Sequence, residues 1–416
     1  MGRKFLFILV MSAVVLTAAL FIRNGSTFVF VSDFARPSDL AANLSLRRGT
    51  SEELLEEALR RSERAKGLYM NAGIARGAEY AALRARNDIL ELIDTTEANA
   101  LVIDVKEVCG PDYDAQNVRT FVRDLRRKGV WTIARIVVFK DASLIDTHPE
   151  WYVTRTSPKA ARDVCGVQSS GQANYFWRDN GGGYWFDPAH DGVLGYTVEF
   201  SKRIIDLGFD ELQFDYIRFP SDGDMWAVEY PAYDEITPKY EIIGSFSAAL
   251  RERLRAYKPD IILSADLFGF TAVDPRGGGI GQRVQDMAPH FDYISLMLYP
   301  SHYYDGFYVG SDDSRGLPAV YLDEEEVRTK PDVVVRRSLF SAQNFIDEPF
   351  GTSTARRAVL RPWLEDFFHE SDMEAGRPSG IEKVRSQIDA AEDTDARGWL
   401  LWSAGGTYMG GALHKN

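Results

Sequence analysis

The 416-residue sequence predicts an α/β protein, a (β/α)8 TIM barrel with long βα loops on its C-terminal face, preceded by an N-terminal hydrophobic anchor. Three observations carry this. Eight short apolar runs, β-branched or aromatic and bounded by turn residues, recur along the chain. Amphipathic helical stretches separate them, several closed by Gly or Pro (Gly129, Gly208, Pro259). The runs are nearly continuous in apolar character, as in parallel strands covered on both faces. Eight is the number that closes a barrel; a doubly wound open sheet is the competing arrangement.

The first element is outside that pattern. Arg3 and Lys4 precede an uncharged run from Phe5 to Ile22, and Arg23 closes it. Roughly 18 residues is at the lower limit for a spanning helix and longer than most signal-peptide cores. Residues 1–23 therefore read as a signal anchor or, second, a cleaved signal peptide with Thr17-Ala18-Ala19 as a weak cleavage site. Basic residues before the run stay cytoplasmic, which puts the rest of the chain in an extracytoplasmic location, periplasmic or at the cell surface, with the membrane as a partner of the N-terminal segment. Residues 24–66 read as a tether and a charged leading helix beginning at Ser51.

The barrel is expected over residues 67–410. Its strands are Gly67–Met70, Ala100–Val105, Val130–Phe139, Glu211–Phe219, Ile261–Phe268, Asp292–Tyr299, Ala358–Phe367 and Gly398–Trp402. Helices are expected over Asn117–Lys128, Val193–Leu207, Lys239–Tyr257 and Ile381–Ala391. Two long insertions, Lys140–Asp191 and Ser301–Glu324, follow strands three and six and so belong to the face where barrels carry active sites.

Composition narrows the partners. A net charge of −13 argues against nucleic acid, whose phosphates require a basic surface. The six histidines are scattered without HxH or HExxH spacing, and the two cysteines, Cys109 and Cys165, cannot form a tetrahedral site alone; no metal and no cofactor are expected. The cysteines either pair in an oxidising compartment or stay buried and free. There is no G-x-S-x-G elbow, and the Gly181–Gly183 and Gly277–Gly281 stretches are neither a P-loop nor a dinucleotide fingerprint.

Polar residues interrupt the strands where they end. Asp104 and Lys106 end the second, Arg135 lies in the third, and Gln213 and Asp215 share a face of the fourth with Arg218 just beyond. Ser264 and Asp266 share a face of the fifth. Tyr299 ends the sixth ahead of His302; Arg361, Trp363 and Glu365 alternate along the seventh; Trp402 ends the eighth. One such residue reads equally well as half of an internal ion pair. Their recurrence at equivalent strand ends points to a reactive site.

Glycoside cleavage needs two carboxyl groups flanking the bond, one as acid and one as nucleophile or base. Neighbouring strands lie about 4.8 Å apart, so Asp215 and Asp266 can approach a retaining separation. Asp104, across the barrel, offers the wider spacing of an inverting pair. Aromatic residues crowd the loops (Trp151, Tyr152, Trp177, Tyr184 and Trp185; Trp226, Tyr230 and Tyr233; Tyr299, Tyr303 and Tyr304) and suit stacking on pyranose rings or packing of the loops themselves. The expected partner is a polysaccharide or oligosaccharide. A non-catalytic glycan-binding barrel is the alternative, and a metal-dependent deacetylase is disfavoured by the scattered histidines.

The stretches LVIDVK (Leu101–Lys106), IARIVVFKD (Ile133–Asp141), WFDP (Trp185–Pro188), GFDELQFDYIRFPSD (Gly208–Asp222), LSADLFG (Leu263–Gly269), DYISLMLYPSHY (Asp292–Tyr303), RPWLEDF (Arg361–Phe367) and GWLLW (Gly398–Trp402) together resemble the DUF4015 family, glycoside hydrolases of the amylase-like barrel kind. The resemblance implies a (β/α)8 barrel acting on or binding a polysaccharide. It implies a nucleophile ending strand four, Asp215, and an acid/base ending strand five, Asp266. Arg135, Gln213, Arg218, Tyr299 and His302 would position the sugar above Trp363 and Trp402, with Asp104, Lys106 and Glu365 nearby. The sequence departs from the pattern at Asp266, where amylase-like enzymes usually have Glu, at Glu365, where Gln is expected, and at Glu107-Val108-Cys109. The Thr156–Gly183 loop is an elaboration of its own.

Overall fold

A computed structural model describes residues 50–167, 172–348, 356–367 and 369–416; the N-terminal apolar run and most of the tether lie outside the described residues. The eight strands are β1 (Lys66–Met70), β2 (Ala100–Glu107), β3 (Trp131–Val137), β4 (Glu211–Asp215), β5 (Ile262–Phe268), β6 (Tyr293–Leu298), β7 (in two pieces, Val359–Leu360 and Trp363–Glu365) and β8 (Trp399–Trp402). Each pairs in parallel with the next, and β8 pairs with β1, so the sheet closes. This is the expected (β/α)8 barrel.

Alternation along the strands divides the apolar residues into two cores. Residues facing inward, among them Ala100, Val102, Trp131, Ile133, Ile262, Tyr293 and Leu400, fill the barrel. Their outward neighbours, such as Leu101, Ile103, Ile136, Leu212 and Leu263, form the larger layer beneath the helices. The principal helices are α1 (Ser51–Ser62), α2 (Tyr80–Thr95), α3 (Ala115–Arg127), α4 (Asp191–Ile205), α5 (Lys239–Tyr257), α6 (Val284–Met287), α7 (Pro331–Asp347) and α8 (Gly380–Glu392). Helix α1 closes the N-terminal end, where the Ser62 hydroxyl lies 2.7 Å from the Tyr293 hydroxyl.

That lower end is polar, and its charges are paired, although the buried Arg361 Nε has no hydrogen-bond partner among the described residues. Arg361, fully buried, pairs with Glu211, which also accepts from Trp131 (2.8 Å) and Ser264 (2.6 Å). A buried pair of this kind adds little net stability, but losing either partner strands a charge. Where β8 begins, Gly398 has φ +77°, and a Cβ there would stand 2.0 Å from the Ala65 carbonyl oxygen; only glycine fits.

Three strand ends differ from the expectation. β4 stops at Asp215 rather than Phe219, because Tyr216 takes a left-handed φ of 52°. β7 is split at Arg361-Pro362, and Pro362 has no N–H to give to a ladder. β3 ends at Val137, and the next two amides still donate to Asp215 and Tyr216.

Both insertions lie at the C-terminal ends. The one after β3 carries the strand Thr154–Arg155, paired antiparallel with Val228–Glu229. The one after β6 carries a ribbon of Phe307–Val309 with Val320–Leu322. Cys109, just beyond the end of β2, forms a disulfide with Cys165, Cα atoms 5.3 Å apart, so the two cysteines pair rather than staying free. Among the described residues no helix is long and apolar enough to cross a membrane.

Candidate active site

Inward-facing positions at the strand ends bring one side chain from each of several strands to a common floor. Arg135 of β3 is at its centre. Its Nη1 donates to Asp104 of β2 at 2.7 Å, its Nε donates to Asp215 of β4 at 3.1 Å, and its Nη2 also contacts Asp215. The same Nε is 3.8 Å from Asp266 of β5. Oxygens of Asp215 and Asp266 therefore lie within about 7 Å of each other, a ceiling that admits the roughly 5–5.5 Å of a retaining pair and the start of the inverting range.

Three carboxyl groups around one guanidinium crowd acidic groups together on a floor largely withdrawn from water. Asp266, 1% exposed, responds most. Burial first, then the charge of Asp215, push its carboxyl well above the usual range, although Trp363 Nε1 donates to it at 2.8 Å. Asp104 is pushed up to about 6 by burial, against the pull of Arg135 and of the Tyr69 hydroxyl 2.5 Å away. Asp215 is held on its other oxygen by the Tyr216 amide at 2.6 Å, and the left-handed turn at Tyr216 presents that amide.

Above the floor opens a cavity of about 510 Å³. Arg135, Asp215, Arg218, Asp266, Tyr299, His302, Trp363 and Trp402 line it, with Tyr303, Tyr304, Phe268 and Met297 on its walls. Burial drives the Tyr299 hydroxyl far above its ordinary value and holds His302 below its own, so both are neutral near pH 7. A recess of about 600 Å³ between α2 and α3 is larger, but neither Asp215 nor Asp266 reaches it. Among the described residues no three His, Cys, Asp or Glu side chains gather as metal ligands.

Four of the residues picked from sequence do not line this cavity. Asp104 lies under it, tied to Tyr69 and Arg135. Gln213 is sealed one layer lower, its amide on the Ser295 hydroxyl at 3.2 Å. Lys106 is turned to the outside of the barrel, 2.8 Å from Asp141 and beside the rings of Phe186 and Tyr196. The cause is a register shift between Asp104 and Lys106, which sets Lys106 opposite the outward-facing Ile136. Glu365 is drawn to Lys383 of α8, to the Ser301 amide at 3.0 Å and to His369 at 3.4 Å. Burial alone would raise its carboxyl, but these partners bring it down to about 2.

Tyr69 is a site residue the sequence reading missed. It anchors Asp104 and stacks on Trp402, ring centres 3.9 Å apart. Its place two residues after Gly67, on the inward parity of β1, was the available signal. The loop aromatics divide. Tyr152, Trp177, Tyr184 and Trp185 are buried and pack the insertion, whereas Tyr299, Tyr303 and Tyr304 line the cavity and Trp226 is 98% exposed.

A closed parallel barrel whose strand-end carboxylates converge on a cavity places the chain among the (β/α)8-barrel proteins and offers the groups that glycoside cleavage needs. The particular family follows from comparison: a family model, "Putative glycosyl hydrolase domain" (DUF4015), matches residues 67–408, and the chain belongs to that family. It is an enzyme of the glycosyl hydrolase kind. Among solved structures, the PgaB (BpsB) glycoside hydrolase domain from Bordetella bronchiseptica aligns at 14% identity over 82% of this chain and 94% of its own, TM-score 0.52, a likeness of fold. A hypothetical protein from Ruminiclostridium thermocellum is 28% identical over 48% of this chain and 96% of its own, TM-score 0.37. An α-amylase from Geobacillus thermoleovorans aligns at 11% identity over 82% of this chain and 71% of its own, TM-score 0.46. No curated protein matches the sequence.

Proposed function

We propose that this glycoside hydrolase cleaves an extracellular or cell-envelope polysaccharide, with Asp215 as the nucleophile or stabilising carboxylate and Asp266 as the general acid/base. One observation carries the assignment: the two carboxyl groups share Arg135 on the cavity floor, and burial beside Asp215 raises the Asp266 carboxyl well above its ordinary range. Asp215 is held by two nitrogens of the guanidinium. Asp266, desolvated and beside Asp215, has its carboxyl raised well above its ordinary range, toward the protonated form. A carboxyl group biased toward its protonated form next to a second carboxyl is what acid-assisted departure of a glycosidic oxygen requires. As the bond breaks, positive charge grows at the anomeric carbon, where Asp215 offsets it. Asp266 delivers its proton to the leaving oxygen and can then take one from water.

Location is part of the proposal. The Cys109–Cys165 disulfide suits an oxidising compartment, and the Arg3-Lys4 flank of the apolar run orients the barrel outside the membrane it anchors to.

The test is a panel of polysaccharides given to the full chain, with new reducing ends as the readout, beside Asp215→Asn and Asp266→Asn. Cleavage of at least one polymer is expected, falling to background in Asp215→Asn and by about 10²–10⁴-fold in Asp266→Asn. Full cleavage by a folded Asp215→Asn protein would refute the assignment.

A further inference from the structure

The buried cations around the barrel mouth are matched by carboxylates: Arg135 by Asp104 and Asp215, Lys106 by Asp141 at 2.8 Å, Lys140 by Asp179 at 2.6 Å. Arg218 breaks the rule. It is 6% exposed and lines the cavity beside Asp222; Asp215, Asp222 and Asp179 act on it through space, yet no described carboxylate oxygen comes within 4.0 Å of its nitrogens. Aromatic rings surround it instead, with the guanidinium carbon 4.4 Å from the Phe268 ring centre, 4.9 Å from Trp185 and 5.1 Å from Tyr216. Its Nη1 donates to the Phe219 carbonyl at 3.0 Å and to the Ser221 hydroxyl at 3.2 Å. Among the described residues, Nε and Nη2 make no hydrogen bond. Three N–H donors in a rigid fork are left over, beside the space that holds the reacting carboxyl groups.

Ring contacts steady a guanidinium but do not replace a counterion. A planar fork with two free nitrogens matches a carboxylate in bidentate fashion. We propose that Arg218 binds a carboxylate carried by the glycan, so that the substrate is an acidic polysaccharide containing uronic-acid units. This rests on the reading of the cavity as a glycan site. The protein's net charge of −13 repels polyanions, so preference for an acidic chain cannot come from the general field. It depends on this one side chain. A single substitution should remove it.

The experiment uses the full chain and three probes, polygalacturonate, alginate and hyaluronan, each beside its own carboxyl-reduced, neutral form. Binding is measured by calorimetry and cleavage by reducing ends. At least one acidic polymer should bind about tenfold or more tightly than its neutral counterpart, as a charge-assisted bidentate contact gives. In Arg218→Met that ratio should fall to about one; Arg218→Lys should keep part of it. Thermal unfolding of both variants shows whether the fold is intact. Acidic-polymer binding that depends on Arg218 without cleavage would uphold this inference and defeat the catalytic assignment. Cleavage with no preference for the acidic form, a preference that survives in folded Arg218→Met, or no binding of any acidic probe would overturn it.

Discussion

Replacing Asp104 by Asn asks how crowded the charges beneath the cavity are. Asp104 is 2% exposed and accepts hydrogen bonds from Tyr69 and Arg135, but burial outweighs both and lifts its carboxyl from 3.8 to about 6. Between those two values the folded protein retains a proton that the unfolded chain has released. The contribution to stability is therefore complete below about pH 4 and is lost as the pH climbs through 6. At 1.36 kcal/mol per pH unit the whole effect is about 3 kcal/mol, of which about 2 kcal/mol falls between pH 4.5 and 7.5. Asn, neutral throughout, lacks this slope. Urea unfolding of both proteins at the two pH values should show the variant gaining about 2 kcal/mol on the parent as the pH rises. Parallel pH dependence in the two proteins, or a relative loss in the variant, would refute the reasoning.

Three further perturbations probe the surroundings. Trp363→Phe removes the donor at 2.8 Å that favours the charged form of Asp266, so its carboxyl should rise further and the alkaline limb of kcat/KM should move to higher pH; an unmoved or lowered limb contradicts the contact. Lys106→Met leaves Asp141 buried and unmatched, and should lower the unfolding free energy by about 3–5 kcal/mol in urea; a loss below about 1 kcal/mol would mean the pair carries no such demand. Reducing the Cys109–Cys165 bridge opens a crosslink across a separation of 56 residues, for which chain entropy gives about 4 kcal/mol; an unfolding curve unmoved by dithiothreitol would show that the loop is held by its packing alone.

The barrel was readable because its rules are local. A strand covered on both faces must be apolar at nearly every position, and the eight runs found on that basis each overlap an observed strand. The convergence of Arg135, Asp215, Asp266, Trp363 and Trp402 followed from strand parity, which needs no knowledge of distant contacts; Asp104, expected across the barrel, instead shares Arg135 with Asp215 beneath the cavity. Parity failed where something non-local intervened. One extra residue in β2 turned Lys106 outward, and Lys383, 18 positions along the chain, captured Glu365. Arg218 sits beyond the left-handed turn at Tyr216 that ends β4, so parity could not place it; its lack of a counterion is visible only once every neighbouring carboxylate has a position.

The departure from Glu at the end of strand five gains a physical meaning from this arrangement. An Asp is shorter by one methylene, so a carboxyl carried by Asp266 stays nearer the floor, where it is 1% exposed and within reach of Trp363. On the proposed assignment a glycosidic oxygen must descend further to meet it. The same shortening holds the group deeper in a desolvated space beside Asp215, which is what raises its carboxyl above the ordinary range. A longer acid would reach further into the cavity but lie closer to water, with less to raise its pKa. Reach and acidity are thus opposed at this position on the proposed assignment.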